Sequence, residues 1–274
     1  MRASIFGLGY IGCATAVALA GRGHDVIGVD VDGRKVRMIS RGEAPILEGN
    51  LDALIRIYAR CGKLQGCSDA AKAVHETDVC LIAVESPAKP NGAFDYSCLL
   101  NAVWQVADGL KEKNAHSIVA LRSAVPPGTT ESLVIPELEK ISGKSARKDF
   151  TVCVNPEFFQ RASHSDEVSH QSVVIVGSHG AKAPKLLQEL YQGLGKICCM
   201  QIKTAEMLKY TWDAKLQQTT LANEMNRILS DAGVDVRALS GLFESQLPPF
   251  SAESNAAAVG SDRGLAQHKM TTNH

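Results

Sequence analysis

The chain has 274 residues, 45% hydrophobic and 21% charged, the balance of an ordinary soluble globular protein with room for about two domains at ~150 residues each. Its 29 basic and 29 acidic residues cancel, and aromatics make up only 5%. A general nucleic-acid or anionic-membrane binder carries a basic surplus, and a single-strand binder carries stacking aromatics, so this sequence predicts no nucleic-acid partner.

No apolar run approaches the roughly 18 residues of a transmembrane helix. The N-terminus passes from Met1-Arg2-Ala3 almost directly into a glycine motif, without the pattern of a signal peptide. The expectation is a cytoplasmic protein with no membrane partner. The eight cysteines (Cys13, Cys61, Cys67, Cys80, Cys98, Cys153, Cys198 and Cys199) form no C-x-x-C pair and no zinc spacing. Neither disulfides nor a metal site are therefore expected, and Cys80, inside an apolar run, reads as a small buried hydrophobe.

In chain order, Ala3–Phe6 predicts a first strand, and Gly7-Leu8-Gly9-Tyr10-Ile11-Gly12 follows it directly. This is a G-x-G-x-x-G pattern between a strand and a predicted helix over Tyr10–Arg22, the context in which the motif points to a dinucleotide. Gly7 permits the tight turn, Gly9 lets the pyrophosphate approach the backbone, and Gly12 lets helix and strand pack closely. The pyrophosphate would rest on the amides at the start of the Tyr10 helix. Asp25–Val29 predicts the second strand, and Asp30 at its end lies 18 residues beyond Gly12 (30 − 12). A carboxylate there accepts from the ribose 2′-hydroxyl and repels a 2′-phosphate, which favours NAD over NADP; Arg34 nearby is the residue that argues the other way.

Further strands are predicted over Val79–Val84, Ser117–Arg122, Phe150–Val154, Val173–Val176 and Ile197–Gln201. Helices are predicted over Arg34–Arg41, Leu51–Cys61, Tyr96–Lys111, Thr130–Ile141 and Ala183–Gly193. Continuous apolar strands alternating with helices predict a doubly wound parallel α/β sheet of Rossmann type, followed by a long helix. That helix opens near Thr204 and runs to about Ala232, about 43 Å at 1.5 Å per residue, with Leu208, Leu221, Met225, Ile228 and Leu229 at helical spacings. It reads either as a packed terminal helix or as a spine between a nucleotide-binding domain and something else. Beyond about Gln246 the rhythm stops and a disordered tail is expected. The predicted organisation is thus a dinucleotide-binding domain over 1–200, a long-helix region over 201–240 and a tail over 241–274.

Three loops after predicted strands carry polar and proline-rich sequence: Ser86-Pro87, Ser123-Ala124-Val125-Pro126-Pro127-Gly128-Thr129-Thr130, and Asn155-Pro156-Glu157-Phe158. Ligands of doubly wound sheets bind at the carboxyl ends of strands, so the three together read as a site. Glu157 is a candidate general base or, equally, a capping carboxylate. On the long helix Lys209 and Asp213 share a face at i and i+4, as an exposed ion pair or as site residues.

Taken together, these segments resemble the UDP-glucose/GDP-mannose dehydrogenase family. The resemblance is carried by Ser4 to Gly12, Arg22 to Val31, Pro45-Ile46-Leu47-Glu48, Ser86-Pro87 with Asn91-Gly92 and Asp95, Arg122-Ser123 with Pro127-Gly128-Thr129, Asn155 to Phe158, Lys209-Tyr210 and Ala222-Asn223-Glu224. Ile135-Pro136, Ser142-Gly143-Lys144 and Asp149-Phe150 tilt it towards the GDP-mannose branch. It covers about residues 1–240. It implies an NAD-dependent, two-step oxidation of the C6 hydroxyl of a nucleotide sugar to a carboxylate, through a cysteine-bound thiohemiacetal and thioester. It further implies that Lys209 stabilises developing oxyanion charge, that Glu157 handles the hydrolytic water, and that Tyr10, Ile11, Lys35, Ser86 and Ser123 join Gly7, Gly9, Gly12 and Asp30 around the cofactor.

The sequence also departs from the family pattern. Asp213 replaces an asparagine, Ala124 a threonine and Arg161 a glutamate, and the spacing from Lys209 to Ala222-Asn223-Glu224 is about one residue short. That shift rotates later helix positions by ~100°. The Gly-Gly-Ser-Cys-Leu-Pro-Lys segment that carries the family nucleophile does not occur, no cysteine follows Cys199, and the family's C-terminal domain is not represented. Three functions are therefore expected to compete: a nucleotide-sugar 6-dehydrogenase impaired by the missing cysteine, a truncated and inactive NAD-binding paralogue, and a hydroxyacid dehydrogenase of similar layout.

Overall fold

The structure is a computed structural model that describes residues 1–46, 50–85, 94–157, 173–193 and 195–209. The strands are β1 (Arg2–Phe6), β2 (Asp25–Val29), β3 (Leu64–Gly66), β4 (Val79–Ile82), β5 (Ser117–Leu121), β6 (Phe150–Val154), β7 (Val173–Ser178) and β8 (Lys196–Met200). The helices are α1 (Tyr10–Ala20), α2 (Gly33–Arg41), α3 (Leu51–Arg60), α4 (Ala70–His75), α5 (Ser97–Leu110), α6 (Ile135–Ser142) and α7 (Lys182–Leu190). A π-helical turn, Thr130–Val134, leads into α6, and a last helix, here α8, opens at residue 202 and is described to residue 209.

The eight strands form one sheet in the order β3-β2-β1-β4-β5-β6-β7-β8. From β3 to β6 every neighbour is parallel, which gives the doubly wound architecture the sequence predicts. The order reverses between β1 and β4, and a crevice opens at that switch point at the carboxyl ends of the strands. One expectation needs correction, because β7 pairs antiparallel with β6 through Val154↔Gly177 and Cys153↔Ser178. This register places the start of β7 beyond the carboxyl end of β6, so β7 runs back towards that end. β8 then pairs parallel with β7.

Side-chain alternation along the central strands divides the core in two. Val79, Leu81, Ile118 and Ala120 face one cluster with residues of α1, α3 and α7. Cys80, Ile82, Val119 and Leu121 face the other with residues of α4, α5 and α6. A sheet covered on both faces needs such continuous apolar strands. α1 has no polar face, with eight of its residues buried, Gly12 to Val17 together with Leu19 and Ala20, as befits a helix sandwiched in the core.

Boundaries differ from the sequence expectation in small ways. β4 stops at Ile82 rather than Val84, because the chain leaves the sheet there to line the cleft. Thr130–Val134 is wound as a π turn, and α8 starts two residues before Thr204. β3 and α4 were not anticipated. The long-helix residues Leu221, Met225 and Ile228, the far end at Ala232 and the tail over 241–274 lie outside the described residues.

Cys13, Cys80 and Cys153 are buried, while Cys61, Cys98, Cys198 and Cys199 are exposed. Burial pushes the Cys13 and Cys153 thiols up to about 12, so neither ionises near neutrality. A thiol-specific reagent at pH 8 is expected to modify the four exposed cysteines of the native protein rapidly and to leave Cys13, Cys80 and Cys153 intact until denaturant is added. Rapid native-state labelling of Cys153, seen by peptide mass mapping, would contradict this packing.

Candidate functional site

The crevice at the β1/β4 switch point is a cleft of about 600 Å³, walled by Gly7, Gly9 and Tyr10 from the glycine loop, Asp30, Val31 and Lys35 after β2, Ala83 to Glu85 after β4, and Ser97, Cys98, Asn101 and Gln105 on α5. Its glycine loop is shaped by three different constraints. Gly7 has φ +104°, and a Cβ there would lie 2.7 Å from the Ala83 carbonyl oxygen. A Cβ on Gly12 would lie 1.8 Å from the Gly7 carbonyl oxygen, so no side chain fits where α1 crosses β1. Gly9, the N-cap residue of α1, has nothing within 4 Å of the Cβ position. The space above it is open among the described residues, and Gly9 has no side chain with which to cap the first turn of α1. Such a helix start offers backbone amides to an anion.

Asp30 braces this loop from β2. Its Oδ2 accepts from the Leu8 amide at 2.7 Å and from Lys35 Nζ at 3.4 Å, and its Oδ1 accepts from the Asp32 amide at 2.9 Å. Arg34, the residue that could have welcomed a 2′-phosphate, is turned onto Asp32 instead. Arg34 Nε and Nη2 reach the Asp32 carboxylate at 3.1 and 2.9 Å. The Arg34 side chain and backbone hydrogen bonds hold the Asp32 carboxyl down at about 2, so the fork persists from neutral pH until the medium falls well below the ordinary carboxylate range.

Of the remaining cofactor candidates, Ile11 packs against the core. Ser123 sits at the end of β5, where its hydroxyl donates to the Val84 carbonyl at 2.6 Å, tying the β5 loop to the cleft wall. Ser86 lies outside the described residues.

A second group of polar side chains gathers beyond β5 and β6. Lys209 Nζ donates to Glu157 Oε1 at 3.2 Å, with side chains only 8% and 2% exposed. The sequence paired Lys209 with Asp213, its i+4 neighbour. The structure sets it on Glu157, 52 residues away, and Asp213 lies outside the described residues. Glu157 is itself held by its turn. The Asn155 side chain just before it accepts from Arg122 Nη1 at 2.6 Å and from the Tyr191 hydroxyl at 2.7 Å, and donates to the Ile175 carbonyl at 2.9 Å. Burial raises the Tyr191 hydroxyl above its usual range while the Arg122 charge pulls it down, so Tyr191 stays a neutral donor.

Two members of this region carried no sequence signal. Tyr191 reaches Asn155 from the end of α7. Glu206, 1% exposed, accepts from the Gly128 amide at 2.5 Å and the Thr130 amide at 2.8 Å. A helix cap is ordinarily sought within three residues of the helix start, whereas Glu206 lies 76 residues from Thr130. Among the described residues, no cluster of three or more His, Cys, Asp or Glu side chains could hold a metal.

Residues 1–195 match the model of the UDP-glucose/GDP-mannose dehydrogenase family, NAD-binding domain. The chain belongs to this family. Among curated relatives, the GDP-mannose 6-dehydrogenase of Pseudomonas aeruginosa is 39% identical over 241 residues, covering 86% of this chain and 55% of the relative. A UDP-glucose 6-dehydrogenase of Haloferax volcanii is 30% identical over 242 residues, covering 86% and 56%. The crystal structure of a ternary complex of GDP-mannose dehydrogenase from Pseudomonas aeruginosa superposes with a TM-score of 0.81 at 35% identity, covering 96% of this chain and 64% of that one. The chain therefore spans about half the length of the curated relatives it matches. The family is one of NAD-dependent oxidoreductases acting on a CH–OH group, and the cleft lies within its NAD-binding domain.

The burial of both partners makes the Lys209–Glu157 pair a strong constraint, because removing one charge takes an opposite charge at 3.2 Å from the other in a buried site. Lys209→Ala and Glu157→Ala are each expected to cost about 3–5 kcal/mol of stability in urea unfolding, and the isosteric double replacement Lys209→Met with Glu157→Leu less than either. Single substitutions that cost under ~1 kcal/mol would show that the pair is hydrated.

Proposed function

We propose that these 274 residues bind NAD in the β1/β4 cleft and hold the Lys209–Glu157 pair for the C6 oxidation of a nucleotide sugar, with GDP-mannose favoured as the substrate. The single observation that supports the reading most directly is the open space over Gly9, the N-cap of α1. Among the described residues nothing fills it, and a pyrophosphate would complete it. The cofactor supplies a two-electron hydride acceptor when bound. The glycine-loop amides would take the pyrophosphate, and Asp30, whose Oδ1 keeps acceptor capacity beyond the Asp32 amide, would take a ribose hydroxyl. With the Arg34 guanidinium engaged by Asp32, the carboxylate of Asp30 is the group at the end of β2 that faces the cleft, which supports NAD over NADP.

Lys209 and Glu157 are suited to charge management beside a carbinol. A fixed cation in a dry site stabilises an oxyanion as it develops, and a buried carboxylate can accept a proton from a hydroxyl or from water. The preference for GDP-mannose over UDP-glucose is supported by the higher identity to GDP-mannose 6-dehydrogenases. The carboxylate-forming step of the family needs a cysteine nucleophile, and none follows Cys199 in these residues. The chain by itself is therefore proposed to bind cofactor without completing the four-electron oxidation. A soluble protein, pairing of two copies as a homodimer through the long helix that the sequence predicts over 204–232, and a part in polysaccharide synthesis complete this reading.

Calorimetric titration tests it. NAD is expected to bind at least ten-fold more tightly than NADP, and Gly9→Val to abolish the NAD heat while the protein still melts cooperatively, a few degrees lower for the poorer N-cap, since no described residue crowds the new Cβ. A folded protein that gives no heat with NAD would overturn the reading. Release of GDP-mannuronate on incubation with NAD and GDP-mannose would overturn the claim that these residues cannot finish the reaction.

A further inference from the structure

The described part of α8 presents one buried face. Ile202, Ala205, Glu206 and Lys209 are all buried, at i, i+3, i+4 and i+7, while Met207 and Leu208 on the other side are 49% and 37% exposed. Ile202 and Ala205 join the apolar cluster on the α5–α6 side of the sheet. Ala205 also packs close over Gly177, where an added Cβ would lie 2.6 Å from the Ala205 Cβ. Apolar contacts of this kind fix how near the helix lies, but they are non-directional and leave its roll about its own axis loosely defined.

Glu206 removes that freedom. Each of its two oxygens accepts a different backbone amide, Oε2 from Gly128 and Oε1 from Thr130, so the carboxylate is gripped at two points. Those amides are the donors that the start of the Thr130–Val134 turn would otherwise leave unmet. The loop they belong to is itself anchored. Thr129 Oγ1 donates to the Pro126 carbonyl at 2.7 Å, the Ser132 amide donates to the Gly128 carbonyl at 2.9 Å, and Ser123 is bonded to Val84 in the cleft wall at 2.6 Å.

Lys209 follows Glu206 by three residues, roughly 4.5 Å along the axis and about 60° around it. A roll of about 10° would displace an ammonium carried some 8 Å from the axis by roughly 1.4 Å, enough to break its contact with Glu157 Oε1 at 3.2 Å. Errors of about 1 Å in a reacting group cost on the order of 100-fold in rate. We propose that Glu206 is a positioning residue: gripped by the Gly128 and Thr130 amides, it sets the roll of α8 and thereby holds Lys209 on Glu157. This rests on Lys209 being a site residue, as proposed above. The alternative is that Glu206 only caps the Thr130 turn and that Lys209 would stay in place without it.

Amine labelling separates the two without cofactor or turnover, so a failure to bind NAD cannot be mistaken for failure of this inference. The full chain is treated with trinitrobenzenesulfonate under native conditions, and lysine modification is followed by peptide mass mapping. Lys113 is the internal control. It is as deeply buried as Lys209 but donates to the Val74 carbonyl under α4, away from Glu206.

In Glu206→Ala, Lys209 is expected to label at least ten-fold faster than in the parent while Lys113 is unchanged. Glu206→Gln, which keeps one acceptor for Thr130 but turns donors towards the Gly128 amide, should fall between. Unchanged Lys209 labelling in a folded variant would overturn the proposal, as would an equal rise at Lys113, which reports general loosening. Should Glu206→Ala fail to fold, the same comparison in the isosteric Glu206→Gln decides.

Discussion

At Gly12 the first helix meets the end of the first strand so closely that a single methyl group would lie 1.8 Å from the Gly7 carbonyl oxygen. That contact brings the start of α1 directly over the carboxyl end of β1. The neighbouring features depend on it. Gly7 must turn at positive φ beside the Ala83 carbonyl, and the Leu8 amide then falls 2.7 Å from the Asp30 carboxylate. With the sheet order reversing between β1 and β4, the helix start opens into a crevice. The cleft is thus shaped by backbone and glycine, while its charge comes from Asp30, Lys35 and Glu85.

The second group of site residues is built on a different principle. Beyond β5 and β6 the chain places Arg122, Asn155, Glu157, Tyr191, Glu206 and Lys209 where little water reaches, and buried polar groups are tolerated only when they find partners. They do so across long sequence separations: β5 to α7, β6 to α8, the β5 loop to α8. Each partnership fixes an element that apolar packing alone would leave free to slide or roll. Asn155, held by Arg122 and Tyr191, orients the turn that carries Glu157, and Glu206 orients the helix that carries Lys209. Charge pairs in a buried site contribute little net stability, but they are directional, and direction is what apolar packing does not supply.

This difference explains how much of the molecule the sequence disclosed. The Gly7–Gly12 loop, Asp30 and the parallel half of the sheet follow local rules of period, turn chemistry and short spacing, and these are legible in a window of about thirty residues. β3 is three residues long and α4 six, too short for periodicity to register. The antiparallel entry of β7 depends on where the chain returns to the sheet, which no strand pattern encodes. Helix geometry is the only local rule available for Lys209, and it points to Asp213, which lies outside the described residues. Its contact with Glu157 is set by tertiary packing that brings α8 over the β6 turn. Tyr191 and Glu206 had no local signature for the same reason. Their partners lie 36 and 76 residues away.

The departures from the family pattern take on different weights once the two constructions are separated. A cleft made from backbone amides and three glycines is indifferent to most side-chain changes elsewhere, so Ala124 in the β5 loop leaves its walls intact: Ser123, one residue earlier, still ties that loop to Val84. The charged pair has no such independence. Lys209 already has one carboxylate at 3.2 Å, and each further charge in a low-dielectric site acts over a longer range than it would in water. The changes from amide to carboxylate at position 213 and from acid to base at 161 lie outside the described residues, and the described walls of the cleft do not include them. Cofactor binding is the part of the chemistry that the geometry of these residues supports most strongly, because it asks least of the side chains that have changed.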